Sequence, residues 1–285
     1  MKVAIVGAGG LVGNEFARHL STRHDVLSFR HSDLDITDSQ VVTSVILNER
    51  PALIVNCAVL GVDASELDPS LAWSVNVAGA ENLAKAANSV DAEFAQLSSN
   101  YVFDGERSGN PFYTIEDAPN PISIYGQTKL ASERAVSAAN DRCFIVRTSW
   151  VFGAGKNNFF SSVVRSLPAA QKIRAITDVW ASTTYVHDLV PRVMEIVSQR
   201  RYATYHVVNS GLCSYYEFAL EAGRILKISE FELRALIETI KLSDLQLPAK
   251  RPRYTPMSCR VSEEIGLAPL RDWRAALAEY VGEVG

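Results

Sequence analysis

The spacing of hydrophobic and polar positions changes several times along this chain, and each change marks an element. Lys2-Val-Ala-Ile-Val-Gly7 is a continuous apolar run of the kind shown by a strand buried on both faces. It leads through Gly7-Ala-Gly-Gly10-Leu-Val-Gly13 into a helix predicted over about residues 11 to 21. Asp25 to Arg30 reads as a second strand, a helix beginning near Asp38 ends at Arg50-Pro51, and Ala52 to Ala58 is another buried strand. Ser70 to Asn88 has helical spacing, and its Asn76 lies between Val75 and Val77, so it is expected to face inward and to need a polar partner. Glu93 to Ser99 is a strand, Pro111 to Pro121 a proline-rich loop carrying Glu116 and Asp117, and Cys143 to Arg147 the next strand.

Beyond residue 153 the alternation loosens and helices are expected to dominate, over Tyr215 to Lys227, Phe231 to Ile240 and Arg271 to Val281. Asp188 to Ser198 and Tyr205 to Asn209 read as returning to the sheet. The fold class that follows is α/β, a Rossmann-type doubly wound parallel sheet with a smaller, mostly helical C-terminal lobe. Residues 1–153, joined by 188–210, are expected to form the dinucleotide-binding part, and 154–187 with 211–285 the substrate lobe.

Composition narrows the classes. With 285 residues and 47% hydrophobic content the chain can bury a large core. A net charge of −4 with scattered Lys and Arg offers no electrostatic footprint for nucleic acid or for a membrane surface. No apolar run approaches the ~18 residues of a membrane helix. The apolar start meets a glycine turn and Glu15 without a cleavage-like region, so no leader is expected. Cys57, Cys143, Cys213 and Cys259 lie far apart, which suggests neither a disulfide framework nor a metal knuckle and fits a reduced cytoplasm. No metal is expected, and a homodimer stays open.

Three stretches carry candidate chemistry. Glycines at 7, 10 and 13 allow a tight turn, close approach of a diphosphate and packing of the next helix, whose first residues Leu11 and Val12 present free N–H groups. Gly9 leaves the G-x-G spacing open beside G-x-x-G-x-x-G. Past the second strand, Arg30 and His31 would welcome a 2′-phosphate, while Asp33 stands near the offset of a ribose-binding acid. NADPH is favoured, with NADH as the alternative. Asp35 and Ile36 would lie beside the adenine, unless Asp35 merely caps the helix that follows.

Tyr125 and Lys129 stand four apart on a predicted helix and share a face. An adjacent ammonium is expected to lower the phenol's pKa, making Tyr125 a general acid and base. Ser99 ends a strand at the edge where open parallel sheets bind ligands, and is the candidate to hydrogen-bond a substrate carbonyl. Each has a bland alternative: a solvated helix face, a strand-end turn. Arg251 reads equally as a diphosphate contact or as half of an ion pair.

Taken with Asp35-Ile-Thr-Asp38, Asn56-Cys-Ala58, Ser98-Ser-Asn-Tyr-Val-Phe-Asp-Gly105, Asn120 to Glu133, Arg147-Thr-Ser-Trp-Val-Phe152 and Arg251-Pro252, these stretches resemble extended short-chain dehydrogenases, most of all the dTDP-4-dehydrorhamnose reductase family. The resemblance implies a nucleotide-sugar substrate, reduced at a 4-keto group of a 6-deoxyhexose. It places Tyr125, Lys129 and Ser99 in the catalytic positions, Cys57, Ala58 and Val59 against the dinucleotide, and Asn100, Tyr101 and Trp150 around the sugar. Two stretches depart from the family's usual pattern. Ser98-Ser-Asn100 stands where Ser-Thr-Asp is usual, and Asp178 to Tyr185 where Asp-Gln-x-Gly-x-Pro-Thr is usual. A related nucleotide-sugar epimerase would keep the same Tyr and Lys, whereas a sugar-nucleotide dehydratase would want extra acid and base groups beside Ser99, which Asn100-Tyr101 does not supply. The chain also resembles the regulatory subunit of S-adenosylmethionine synthetase, which binds a dinucleotide and a partner protein.

Overall fold

A computed structural model of the protein describes residues 1–107, 111–155 and 157–284. Five strands, β1 (Lys2–Val6), β2 (Asp25–Phe29), β3 (Leu53–Asn56), β4 (Glu93–Ser99) and β5 (Cys143–Thr148), join the strand Thr204–His206 in one sheet. Its order is Thr204–His206, β5, β4, β3, β1, β2, and every pairing is parallel. This is the doubly wound arrangement that the apolar runs imply. All residues of β3, β4 and β5 are buried, because helices cover both faces, whereas the edge strand β2 is half exposed.

On one face, the core includes Phe16 of α1 (Leu11–Leu20) and Leu189 and Val193 of the helix Val186–Gln199. On the other it includes Val42 of α2 (Ser39–Glu49), Leu83 and Val136. The predicted helix over 70 to 88 is helical throughout but not uniform: α3 (Val62–Leu67) precedes α4 (Pro69–Trp73), a π-helical turn (Ser74–Gly79) and α5 (Ala80–Ser89). Asn76 lies in that π turn, faces inward, and has its partners: its Oδ1 accepts from Leu60 N at 2.7 Å and its Nδ2 donates to Thr128 Oγ1 at 3.0 Å.

A separate core lies in the C-terminal part, with Phe152, Phe160, Phe218 and Trp273 among its buried residues. The strand Thr204–His206 returns to the parallel sheet, whereas the residues around it include more short strands than the loosened pattern suggests. Phe231 to Ile240 is one correction: the helix stops at Leu236, and Ile237–Ile240 pairs in parallel with Ile173–Ile176. Its burial pattern, buried at the two ends and exposed between, suits either element over so few residues. The pairing partner lies some sixty residues away and leaves no local mark.

Candidate active site

The glycine turn follows β1 directly. Gly7 adopts a positive φ of 80°, and a Cβ on Gly13 would overlap the Gly7 carbonyl oxygen, so α1 presses against the turn as only glycine permits. Gly10 is the exposed N-cap of α1, without a side-chain cap bond, so the first N–H groups of the helix are left for an anion. The turn therefore fits the diphosphate of a dinucleotide.

Across the sheet, α6 (Ile124–Ala139) begins under a Ser123 cap that accepts from Gly126 N at 3.2 Å. Its first two turns carry Tyr125 and Lys129. These converge with Ser99, at the C-terminal end of β4, on one cleft of about 440 Å³. Gly10, Leu11, Val12 and Gly13 line the same cleft, as do Cys57, Ala58 and Val59 at the end of β3. Asn100, Tyr101 and Trp150 complete the group that the structure brings together. Gly7 stays behind the turn.

The electrostatics differ from expectation at Tyr125. Burial pushes its phenol up, and the Ser99 hydroxyl opposes the rise by hydrogen bonding. Lys129 Nζ donates to the Leu97 carbonyl oxygen at 2.5 Å. Lys129 itself is pulled down to about 8 by burial, a loss that Glu133 opposes. Ser99 Oγ donates to Asn100 Oδ1 at 3.2 Å and accepts from Tyr101 N at 3.2 Å, while Asn100 Nδ2 donates to Thr255 Oγ1 at 2.7 Å. Tyr101 meets Tyr125 edge-on, with ring centroids 5.5 Å apart.

Trp150 has a positive φ of 42°, strained for a bulky residue by roughly 1–3 kcal/mol. That conformation sets its ring over Tyr215, 4.0 Å between centroids. Asn100, Tyr101, Trp150 and Tyr215 also line an adjoining cavity of about 390 Å³, whose far wall includes Arg174, Leu242 and Arg251. Tyr215, Arg174 and Leu242 escaped the sequence reading. The Ser214-x-x-Glu217 capping box marks the start of the helix Tyr215–Ile225 and is a signal for Tyr215, since it puts that residue at the helix mouth. Asp178, in one of the departing stretches, accepts from Leu242 N at 2.7 Å and so shapes this second cavity through backbone rather than by facing it.

Five expected residues stand apart from the cleft. Arg251 pairs with Asp63, Nη2 to Oδ2 at 2.7 Å, so its ion-pair alternative is the one observed, at the edge of the second cavity. Asp35 caps no helix: it accepts from Thr37 N and Oγ1 in a local turn, and Asp38 caps α2. Ile36 is buried, and a Cβ on Gly79 would meet its side chain. Arg30 is exposed just past β2 with its Cγ lying over Gly9. Asp33 is occupied close by: it accepts from Arg30 N at 2.8 Å and from Ser32 Oγ at 3.1 Å, and the first of these holds its carboxyl below the ordinary range.

A family model described as the RmlD substrate binding domain matches residues 1–285. The dTDP-4-dehydrorhamnose reductase of Mycolicibacterium smegmatis is 36% identical over 99% of this chain and 86% of its own length. That of Streptomyces griseus is 37% identical over 96% and 91%. The dTDP-4-dehydrorhamnose reductase of Bacillus anthracis, solved in complex with NADP, superposes with a TM-score of 0.92 at 32% identity, covering 99% of both chains. A glycine turn, a Ser-Tyr-Lys cleft and a full-length match thus agree, and the chain belongs to the dTDP-4-dehydrorhamnose reductase family of extended short-chain dehydrogenases.

Proposed function

We propose that this chain uses NADPH to reduce the 4-keto group of a dTDP-linked 6-deoxyhexose, converting dTDP-4-dehydro-L-rhamnose to dTDP-L-rhamnose. The observation that carries the reading is one cleft with the glycine turn at one end, Ser99, Tyr125 and Lys129 in the middle, and a second cavity at the other. The turn and the N-terminus of α1 would hold the diphosphate of the dinucleotide, and Lys129 its nicotinamide ribose. Arg30 would take the 2′-phosphate, since Asp33 is spent on its own turn.

When bound, NADPH supplies the hydride for C4. Tyr125 gives its proton to the C4 oxygen as negative charge develops there. The raised pKa suits this direction, because the group must arrive protonated to act as an acid. Ser99 gives the same oxygen a second hydrogen bond once its hydroxyl turns from Asn100, and both donors favour the transition state over the neutral ketone. Trp150, Asn100 and Tyr101 would flank the sugar, with the nucleotide extending into the cavity walled by Tyr215 and Arg174. The 154–187 and 211–285 segments supply the outer part of the substrate site in this scheme, through Tyr215 and Arg174.

No helix among the described residues is long and apolar enough to cross a membrane. We place the enzyme in the cytoplasm on the strength of its four free thiols, and light scattering tests the homodimer. The decisive assay mixes the protein, NADPH and dTDP-4-dehydro-L-rhamnose and follows dinucleotide absorbance together with the sugar product by mass spectrometry. Oxidation matched to dTDP-L-rhamnose is the expected result. Tight NADPH binding without turnover of any dTDP-4-keto-6-deoxy sugar overturns the reading.

A further inference from the structure

Lys129 is a cation with little water around it. It is 3% exposed, and its Nζ donates to the Leu97 carbonyl. One turn along α6, Glu133 is 6% exposed and shares the face of Lys129. Its carboxylate is gripped by the sheet: Arg147 Nε reaches Oε1 at 2.9 Å, Arg147 Nη2 reaches Oε2 at 2.7 Å, and Ser98 Oγ donates to Oε1 at 2.5 Å. Ser98 and Arg147 are cross-strand partners in the β4–β5 register. Leu97 and Ser98, adjacent in β4, therefore hold the lysine and its glutamate respectively.

Arg147 pairs directly with the buried Glu133 carboxylate, and the buried Lys129 ammonium, one helical turn away, lies within that carboxylate's field. Arginine does not release its proton in a protein, so any excess of positive charge must be relieved at the lysine. The other titratable groups around the cluster are neutral near pH 7. The Cys57 thiol, facing Lys129 from the end of β3, is pushed up to about 12 by burial. Tyr125 is raised for the same reason, and His206, on the far side of Arg147, is pushed down to about 3. Among the described residues, Glu133 is the carboxylate that acts on the Lys129 ammonium.

We propose that Glu133, clamped by Arg147 and Ser98, is a positioning residue that keeps Lys129 charged inside the cleft, and that Arg147 sets how much of the carboxylate's field the lysine feels. The inference rests on the role given to Lys129 above, but its test does not need the reaction. The 13Cε resonance of Lys129 in lysine-labelled protein, assigned by its loss in Lys129→Met, reads the titration without substrate or dinucleotide.

Glu133→Gln is expected to lower the midpoint by about one pH unit or more, the size of a close opposite charge, with Glu133→Asp restoring part of it. Arg147→Met is expected to raise it, because the competing cation is gone. The alkaline limb of kcat/KM moves with the midpoint in each variant. An ion pair that only stabilises the fold would lower Tm in both variants and move neither midpoint nor limb, which overturns the proposal. Should Glu133→Gln fail to fold, Arg147→Met still decides, since it leaves Glu133 balanced by Lys129; an unmoved or lowered midpoint then refutes the idea. A parent protein that titrates as expected but reduces no keto sugar would sink the proposed function and leave this inference standing.

Discussion

Ser99 stands at the end of a seven-residue strand, and Tyr125 and Lys129 on the first two turns of a sixteen-residue helix packed on the same sheet. The walls proposed to hold the sugar nucleotide are made otherwise. Trp150 occupies a strained position beside a two-residue strand, Tyr215 opens a helix, and Arg174 lies on a short strand paired with Ile237–Ile240. Long regular elements buried on both faces fix side chains to within fractions of an ångström, which proton transfer requires. Short strands and aromatic contacts hold a surface whose shape depends on many weak contacts, and such a surface can change its substrate without disturbing the chemistry. On this division, the sheet region is expected to govern kcat and the lobe KM.

The largest expected effect tests the sheet side. Tyr125→Phe removes the proton donor and lowers kcat by about 10² or more, measured at saturating substrate. Near-normal turnover would show that the acid lies elsewhere. On the lobe side, Tyr215→Ala removes the ring beneath Trp150 and raises KM by roughly tenfold, leaving kcat within about threefold. Were kcat to fall instead with KM unchanged, the division between the two regions would fail.

Arg30→Ala sharpens the boundary at the dinucleotide end. It weakens NADPH binding by about five- to tenfold in a fluorescence titration, the scale of one charge-assisted contact, and leaves NADH binding unchanged. Equal losses for both would remove Arg30 from the 2′-phosphate. The smallest effect is a pH dependence. Lys129, depressed to about 8, is charged below that value and loses its proton as pH rises through it, so kcat/KM falls to about half near pH 8. Tyr125, shifted upward, stays a phenol throughout that window. A profile flat to pH 9.5 or so would mean that the ammonium is not required.

Much of the sheet half was legible in the residue order because its determinants are local. An apolar run, a glycine turn and a helix start are neighbours in the chain, and four-residue spacing alone puts Tyr125 and Lys129 on one face. Asn76 among valines likewise announced a buried amide, since an apolar setting demands a partner whatever that partner is. What the order of residues could not settle was the outcome of competition between distant groups. Arg251 had a diphosphate and an acid open to it, and only the fold shows that Asp63 is brought to 2.7 Å. The phenol of Tyr125 had an ammonium one turn away, yet burial raised its pKa, while the amine of Lys129 donates to the Leu97 carbonyl on β4. Helical periodicity places two side chains on a common face, but desolvation and the direction of a flexible amine are set by whatever else packs there, and only the assembled tertiary structure supplies those neighbours.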